Sequence, residues 1–217
     1  METKLVLVFG IITLLIGGLL FVSGSGLSAQ LITGKNINSA IAASKSSPDK
    51  DFSYSFNLKN CTFSTTGSNP YFILKPGYQL VFKGVSEKVP SKVSSTVLNQ
   101  TKVVGDGIVS RIVEEKTVNS QTGNLIEITN DYFAICKKNN SVFYLGEHVD
   151  DYENGKIVSH VGSWIHGSDK ARAGLIMPGV ILVGSRYYQE IAPDVAMDKA
   201  EIVSVNETVK VPAGIFN

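Results

Sequence analysis

The sequence is poor in cysteine and tryptophan, and neither sign of charge is in excess. It has two cysteines and one tryptophan in 217 residues, and its 20 Lys and Arg nearly balance its 19 Asp and Glu. A net charge of +1 provides no basic surface for a polyanion, and no stretch interleaves basic with aromatic residues. We therefore expect no nucleic-acid partner.

The motifs of several enzyme classes are missing as well. Ser163 does not stand in the Gly-x-Ser-x-Gly elbow of serine hydrolases, and no Gly-x-x-x-x-Gly-Lys phosphate loop occurs. The three histidines, His148, His160 and His166, form no His-x-x-x-His pair, so they give no zinc motif, although strand pairing would allow them to approach one another. We therefore assign no catalytic residue.

One long apolar run stands near the start of the chain. It extends from Leu5 to Val22 and, at about 1.5 Å per residue, makes a helix of about 27 Å, near the lower limit for crossing a membrane. The run is long for a signal peptide, but the small residues that follow it, up to Ala29, suit signal peptidase. We expect residues 1–29 to be a cleaved signal peptide or a membrane anchor; a buried core helix is the alternative.

The cysteines and the potential glycosylation sites agree with export. Cys61 and Cys136 make an even count, which in an exported chain favours a disulfide, with two free thiols as the alternative. Four tripeptides match the Asn-x-Ser/Thr acceptor pattern for N-glycosylation, and they begin at Asn60, Asn99, Asn139 and Asn206. We expect an extracytoplasmic protein that is either membrane-anchored or secreted.

The remainder of the chain predicts β-structure. Residues 30–68 are rich in Ser, Asn and Gly, as a spacer is, with one early strand where apolar and polar residues alternate from Phe52 to Leu58. Residues 69–217 contain strand-like segments at short intervals, joined by Gly and Asn turns. We predict a mainly β domain, with minor helix, built as one twisted antiparallel sheet or a partly closed barrel.

Asn154-Gly155 is the strongest local signal in this domain. A type I′ turn needs positive φ at both central positions, which Asn and Gly tolerate. The dipeptide therefore predicts a tight hairpin whose second strand begins at Lys156. Trp164, beyond that strand, should pack against the sheet.

An acidic group precedes the hairpin turn. Glu147, Asp150, Asp151 and Glu153 are expected to share one loop, where carboxylate and carbonyl oxygens are the ligands that Ca²⁺ takes. Their spacing does not match an EF-hand loop, and a solvated acidic turn is the alternative. Calcium is the only cofactor that the sequence suggests.

Aromatic residues supply the candidate ligand site. Tyr144, Trp164 and Tyr187 belong to a group of aromatic side chains that is large enough to line a pocket. Aromatic residues at alternating strand positions also form ordinary β-sheet cores, which is the alternative for all three.

A series of motifs between residues 69 and 217 has a specific order and spacing. The motifs are Asn69-Pro70-Tyr71-Phe72-x-Leu74-x-Pro76-Gly77, Asp131-Tyr132-Phe133-Ala134, Tyr144-x-Gly146-Glu147-x-x-Asp150-x-Tyr152, Gly155-Lys156, Gly162-Ser163-Trp164, Gly174-x-Ile176-Met177-Pro178, Val183-Gly184-x-x-Tyr187-x-Gln189-Glu190 and Val211-Pro212-Ala213-Gly214-x-Phe216. Together they resemble a family of uncharacterised exported proteins of bacteria and archaea.

The resemblance implies an exported β domain and no particular activity. The last motif is also similar to one in periplasmic half-barrel proteins that resemble lipoprotein-sorting factors, which implies a curved antiparallel sheet. Members of the family continue with several more strands, whereas this sequence stops at Asn217. We therefore expect the C-terminal strands of the family to be missing here and a sheet edge to be exposed.

These observations predict an exported or membrane-anchored envelope protein that is not a catalyst and binds an apolar or glycan ligand on a concave sheet. One alternative is a secreted enzyme that uses the acidic and histidine residues between positions 147 and 166. Another is a structural or adhesive surface glycoprotein.

Overall fold

The computed structural model describes residues 48–86 and 88–216. The prediction of a mainly β protein is confirmed, because strands make up 58% of the structure and helical turns 4%, and the sheet is a strongly curled antiparallel half-barrel. The segment Leu5–Val22, predicted as a signal peptide or anchor, lies outside the described residues. Within the described ranges, none of the helical segments has the length and apolar character that a membrane span requires.

Short and long strands follow one another along the described part of the chain. The strands are β1 (Phe63–Ser64), β2 (Gly67–Asn69), β3 (Phe72–Leu74), β4 (Gln79–Ser86), β5 (Val89–Val104), β6 (Ile108–Asn119), β7 (Leu125–Cys136), β8 (Ser141–Glu153), β9 (Lys156–Ser159), β10 (Trp164–Ile165), β11 (Arg172–Met177), β12 (Arg186–Tyr188), β13 (Glu190–Ile191), β14 (Lys199–Glu201), β15 (Val209–Val211) and β16 (Gly214–Phe216). A 3-10 turn at Leu58–Asn60 precedes the strands, and another at Gly105–Gly107 lies between β5 and β6.

The main sheet is an antiparallel meander with β7 and β8 at its centre. Its order is β13-β11-β8-β7-β6-β5-β4, while β1 also pairs with β7, and β9 and β10 pair with β8. Smaller two-stranded sheets join β2 to β3, β12 to β14 and β15 to β16. One end of the order is β4, which is exposed along nearly its whole length.

The main sheet carries a core on each face, because alternate residues of a strand point to opposite sides. We call the side that carries Tyr144 the tyrosine face; its buried cluster includes Phe133 and Trp164. The opposite side carries His148 and is called the histidine face; buried residues there include Tyr132 and Leu145. The central strands are therefore packed on both sides.

A β-bulge in β8 decides which side chains share the tyrosine face. Asp131 pairs with Glu147, but the next residue of β7 on the same face pairs with Tyr144, so β8 uses three residues where β7 uses two. Gly146 lies in this stretch with φ of 145°. A Cβ atom there would lie 2.6 Å from the carbonyl oxygen of Trp164, so glycine allows β10 to pair with the bulged strand.

The predicted hairpin is confirmed. Asn154 and Gly155 have φ of 51° and 75°, and Glu153 pairs with Lys156 across the turn. Positive φ at both positions is what a type I′ turn requires. Trp164 packs into the sheet core and is only 6% exposed, also as predicted.

The predicted disulfide is also confirmed, and it ties an early segment to the central strand. Cys61 and Cys136 are bonded, with their Cα atoms 5.1 Å apart. Phe63 pairs with Cys136, and its ring packs against that of Phe143 with centroids 5.8 Å apart. The main sheet therefore includes β1, which precedes the predicted start of the β domain at residue 69.

The early strand predicted from Phe52 to Leu58 is wrong. Ser53 makes one isolated β-bridge, and the segment then enters the 3-10 turn at Leu58–Asn60. The ring of Phe56 packs edge-on against Phe143 with centroids 5.9 Å apart. Phe52 and Phe56 thus pack individually against the domain, without the strand pairing that such alternation usually accompanies, while Tyr54 is exposed.

Candidate functional site

The tyrosine face contains buried carboxyl groups on the two central strands. Asp131 on β7 and Glu147 on β8 are directly paired, and they are 6% and 3% exposed. The Tyr144 hydroxyl donates a hydrogen bond to Asp131 Oδ1 at 2.7 Å, and Trp164 Nε1 donates one to Glu147 Oε1 at 3.0 Å. Each carboxyl group is thus held by an aromatic donor.

Aromatic packing fixes these two donors. The ring of Tyr144 stacks on Phe133 with centroids 4.8 Å apart and meets Trp164 edge-on at 5.2 Å. A second ring, Phe72 on β3, packs edge-on against Phe133 at 5.0 Å. Because the rings pack against one another, they fix the orientations of the hydroxyl and the indole N–H.

Glu190 on β13 reaches the same group from the end of the sheet. It is 1% exposed; its Oε1 accepts a hydrogen bond from the Asp198 amide, while Oε2 is shielded from solvent and has no hydrogen-bond partner. Gly174, which pairs with Tyr144, permits this approach, since a Cβ atom there would lie 2.3 Å from the carbonyl carbon of Gln189. Burial raises the pKa of the Tyr144 hydroxyl, and the negative charge of Glu190 raises it further.

Further acids continue the group across β6, β7 and β8. Each row consists of three residues that pair across β6, β7 and β8 and point to the tyrosine face. Successive rows are two residues apart along a strand, a distance of about 7 Å, so three rows span about 14 Å. Glu115, Glu127 and Asp151 are half-buried, and Oδ2 of Asp151 has no hydrogen-bond partner. The three rows are Val113, Asp131 and Glu147; Glu115, Thr129 and Val149; and Thr117, Glu127 and Asp151.

Burial favours the protonated form of these acids. It raises the pKa of Glu147 to about 7 and that of Glu190 to about 8, and it raises the pKa of Asp131 well above its ordinary value. The charges of Glu115 and Glu147 raise the pKa of Asp131 further. Burial is also the main cause of the raised pKa values of Glu115 and Glu127. A cation among these groups would favour their ionised forms.

Basic side chains of the described part of the chain do not neutralise this group. The ion pairs found there involve other carboxylates. The buried Arg111 on β6 donates instead to the backbone carbonyls of Thr65 and Asn99. Since a buried unpaired charge is costly, the acids are either protonated or matched by a cation from outside the described residues.

The three aromatic residues predicted to bind a ligand do not form one open surface. Tyr144 and Trp164 are in contact, whereas Tyr187 lies on β12, which pairs with β14. Tyr187 is 4% exposed, and its burial raises its pKa to about 12. All three side chains are core residues, as the alternative interpretation expected, although two of them also donate hydrogen bonds to the acids.

The prediction that Glu147, Asp150, Asp151 and Glu153 share a loop is wrong. All four belong to β8. Glu147 and Asp151 lie on the tyrosine face and Asp150 lies on the histidine face, while Glu153 is exposed at the hairpin end. The four carboxylates therefore do not converge on one calcium ion.

Asp150 is grouped with two histidines instead. Its Oδ1 lies 3.3 Å from His148 Nε2 and 2.8 Å from His160 Nδ1. His166 is elsewhere, where its Nδ1 accepts a hydrogen bond from the Ala173 amide. The acidic and histidine residues between positions 147 and 166, considered as one enzyme site in the sequence, are thus divided between two faces of the sheet.

The four potential glycosylation sites are accessible. Asn60, Asn99, Asn139 and Asn206 are all exposed. Glycosylation itself stays a prediction.

Sequence reasoning did not identify Glu115, Glu127, Asp131 and Glu190 as site residues. The available signal was an acid inside a strand-like run, as in Asp131 before Tyr132-Phe133-Ala134. Such a residue is buried and therefore needs a partner or a proton. Which acids meet depends on strand register and on the bulge at Gly146, and neither is a local property of the sequence.

Comparison with models of protein families, with curated proteins and with solved structures finds no match for this chain. The resemblance of residues 69–217 to exported bacterial and archaeal proteins, and of the last motif to lipoprotein-sorting factors, therefore stays a prediction. The candidate site rests on the geometry of the chain itself.

Proposed function

We propose that the protein is a binding protein outside the cytoplasm, without catalytic activity, and that its acidic tyrosine face receives a ligand that carries ammonium groups. One observation carries this proposal: the carboxyl groups of Asp131, Glu147 and Glu190 are buried together without a basic partner in the described residues, and Glu190 Oε2 has no hydrogen-bond partner. An ammonium group provides both the missing charge and the missing donors.

The half-buried acids provide access to this site. Glu115, Glu127 and Asp151 are partly exposed and lie one or two rows away from the buried pair, Asp131 and Glu147. A ligand therefore meets the outer acids first, and attraction by several like charges speeds such an encounter. The buried acids form the floor of the site.

An elongated organic cation fits the rows better than a metal ion does. Calcium takes six to eight oxygen ligands at about 2.3–2.6 Å, which requires a compact cage. Acids spread over rows about 7 Å apart do not provide one, whereas a chain of amines spaced along about 14 Å meets each row in turn. An apolar ligand, one of the two classes expected from the sequence, would leave the carboxyl groups uncompensated.

Binding is favoured over catalysis because the central acids are already engaged. Asp131 and Glu147 accept hydrogen bonds from Tyr144 and Trp164 and are almost fully buried. A general acid or base must contact the substrate atom whose proton it transfers. These two groups are instead positioned to support a charge bound above them.

The location outside the cytoplasm is supported by the disulfide. The bond between Cys61 and Cys136 is compatible with an oxidising compartment, where such bonds persist. The apolar run Leu5–Val22 agrees with export, although it lies outside the described residues. Both features fit a protein that meets its ligand in the cell envelope or beyond it.

The direct test is calorimetric titration of the full chain, in a mild detergent at low salt, with spermidine and with the neutral oligosaccharide cellotetraose. We expect saturable binding of spermidine that weakens as salt is added, because salt screens charge attraction. Cellotetraose should not bind.

Two variants make the test specific. The double variant Glu115→Gln and Glu127→Gln should lose most of the spermidine affinity. Glu114→Gln is the matched control, because Glu114 pairs with Asn130 on the histidine face, and it should bind as the unaltered chain does. Binding of cellotetraose without spermidine, or equal spermidine binding by all three proteins, would overturn the proposal.

A further inference from the structure

The histidine face carries a second group of polar side chains, on the opposite side of β8 from the acidic site. His148 and Asp150 are two residues apart on β8 and so point to the same side. His160 follows β9 directly, and the pairing of Asp151 with Ser159 places it opposite Asp150. The Asn154-Gly155 hairpin thus brings together three side chains that bind transition metals.

The local backbone holds His160 in this position. Ser163 Oγ accepts a hydrogen bond from the Val149 amide, and the Ser163 amide donates to the carbonyl of His160. These bonds fasten the turn after β9 to β8. The rings of His148 and His160 stack with centroids 5.2 Å apart. The group is therefore built by strand pairing and a turn and does not depend on a flexible loop.

The distances within the group suit metal coordination. One ligand atom from each residue lies within 4.8 Å of the other two, and the carboxylate oxygen is 3.3 Å from His148 Nε2 and 2.8 Å from His160 Nδ1. Tetrahedral bonds of about 2.0–2.1 Å put two ligand atoms about 3.3–3.4 Å apart. His160 Nδ1 also lies 3.0 Å from the carbonyl oxygen of Val149, so a rotation of this ring away from that carbonyl is needed to bring the three donors around one ion.

One carboxylate oxygen of Asp150 has no hydrogen-bond partner, and a bound metal ion would take that place. This oxygen, Oδ1, is shielded from solvent and accepts no hydrogen bond, although two imidazole nitrogens lie close to it. The imidazoles themselves are accessible, since their side chains are 49% and 57% exposed. A metal ion can therefore bind the imidazoles from solvent, and rotation of their rings would open Asp150 Oδ1 to the ion.

We infer that His148, Asp150 and His160 form a binding site for a divalent late transition-metal ion such as Zn²⁺. Two imidazoles and one carboxylate are a ligand set that these ions take, and three protein ligands leave room for water. This site goes beyond the proposed function, because it lies on the other face and takes a metal ion where the acidic site takes an amine. A bound ion would clamp the hairpin by joining β8 to the turn after β9.

The alternative is a metal-free group in which the two imidazoles lie beside Asp150 without binding an ion. The two cases differ in stoichiometric metal binding and in the atoms around the metal. In the first case, one Zn²⁺ binds per chain, and Cu²⁺ at the same site has two nitrogen ligands from imidazole. In the second case, neither signal is present.

The test uses the full chain, without a polyhistidine tag, in detergent. Zn²⁺ is titrated by calorimetry, and Cu²⁺ is examined by electron paramagnetic resonance. We expect one Zn²⁺ per chain, and a loss of affinity in His148→Ala, Asp150→Asn or His160→Ala at least as large as the roughly 10–100-fold loss caused by removing a group that merely supports a metal ligand. The Cu²⁺ spectrum should lose one nitrogen coupling in each histidine variant.

Glu153→Gln is the matched control, because this exposed carboxylate lies on the same hairpin outside the group. It should retain Zn²⁺ binding, and circular dichroism should show that every variant is folded. Absence of Zn²⁺ binding by the unaltered chain would overturn the inference. Unchanged binding after all three ligands have been replaced would overturn it as well.

Discussion

The polar residues on the two faces of β8 differ in their solvent exposure and in their partners. On the tyrosine face, Glu147 is 3% exposed and receives a hydrogen bond from the indole of Trp164. On the histidine face, His148 is exposed and Asp150 is shared between two imidazoles. On the tyrosine face the carboxyl groups are buried beside aromatic rings, whereas on the histidine face the two imidazoles are exposed and only the oxygen between them is shielded.

This difference shows how one stretch of sequence becomes two sites. Positions 147–153 contain four acids, but a strand sends successive residues to opposite sides. The acids on the tyrosine face therefore join partners from β6, β7 and β13, and Asp150 joins His160 after β9. Neither group of side chains is formed by positions 147–153 alone, since each one needs residues from other strands or from the turn after β9.

The largest expected effect comes from removing the ring that supports the acidic site. Trp164→Ala should reduce the free energy of unfolding by about 3–5 kcal/mol, because it leaves a cavity and removes the donor to Glu147. Urea unfolding followed by circular dichroism measures the change. Ile157→Ala, at a largely exposed position on β9, is the control and should cost far less. Equal losses in the two variants would contradict the assignment of Trp164 to the core.

The histidine face has its own source of stability in the disulfide. Replacing both Cys61 and Cys136 by Ala should cost about 2–5 kcal/mol, since the bond restricts an unfolded chain over a separation of 75 residues. Thermal unfolding of the variant, compared with the oxidised and the reduced parent chain, measures this effect. If the reduced parent is as stable as the oxidised one, the bond does not stabilise the fold.

Glu190→Gln should change how stability depends on pH. Burial, together with the negative charge of the neighbouring Asp198, raises the pKa of Glu190 to about 8, so the folded state holds a proton that the unfolded state releases at a lower pH. The parent chain therefore loses stability through this group as pH rises from about 4.5 to about 8, whereas glutamine cannot lose a proton. At pH 8.5 the variant should be more stable by an amount on the order of 1 kcal/mol or more. Parallel pH profiles of unfolding would contradict this.

The smallest effect is expected on the histidine face. His148→Ala, in the absence of metal, should change the free energy of unfolding by less than about 0.5 kcal/mol, because the side chain is exposed and its contact with Asp150 is partly solvated. A loss of several kcal/mol would show that this group supports the fold directly. The difference between the losses of unfolding free energy in Trp164→Ala and in His148→Ala measures how much more the tyrosine face contributes to stability than the histidine group does.

Local chemistry made part of the fold predictable. Asn154-Gly155 requires no distant contact to form its turn, and the alternation along β4 to β8 indicates strands on its own. The strand predicted from Phe52 to Leu58 was wrong. Alternation of apolar and polar residues indicates which side chains pack against the protein, but it does not show whether a neighbouring strand is available for pairing. Ser53 finds only a single bridge there.

The candidate site was less predictable because it depends on register. Tyr144 and Glu147 are three residues apart, which in a regular strand would put them on opposite faces. The bulge at Gly146 brings both to the tyrosine face, where Glu147 pairs with Asp131 and the Tyr144 hydroxyl donates a hydrogen bond to Asp131. Glu190 joins them through the close crossing of β13 at Gly174. No short sequence motif predicts contacts of this kind between distant segments.

The acids of the tyrosine face are proposed to stay protonated in the free protein and to ionise when an amine binds. Carbon-13 NMR of glutamate-labelled protein, with the Glu190 signal assigned from Glu190→Gln, titrates this carboxyl group directly. The account predicts a midpoint near pH 8 for the free protein, as burial raises the pKa of Glu190 to about 8, and a clearly lower midpoint with saturating spermidine. A midpoint near the ordinary value for glutamate in the free protein, or one that spermidine leaves unchanged, would contradict it.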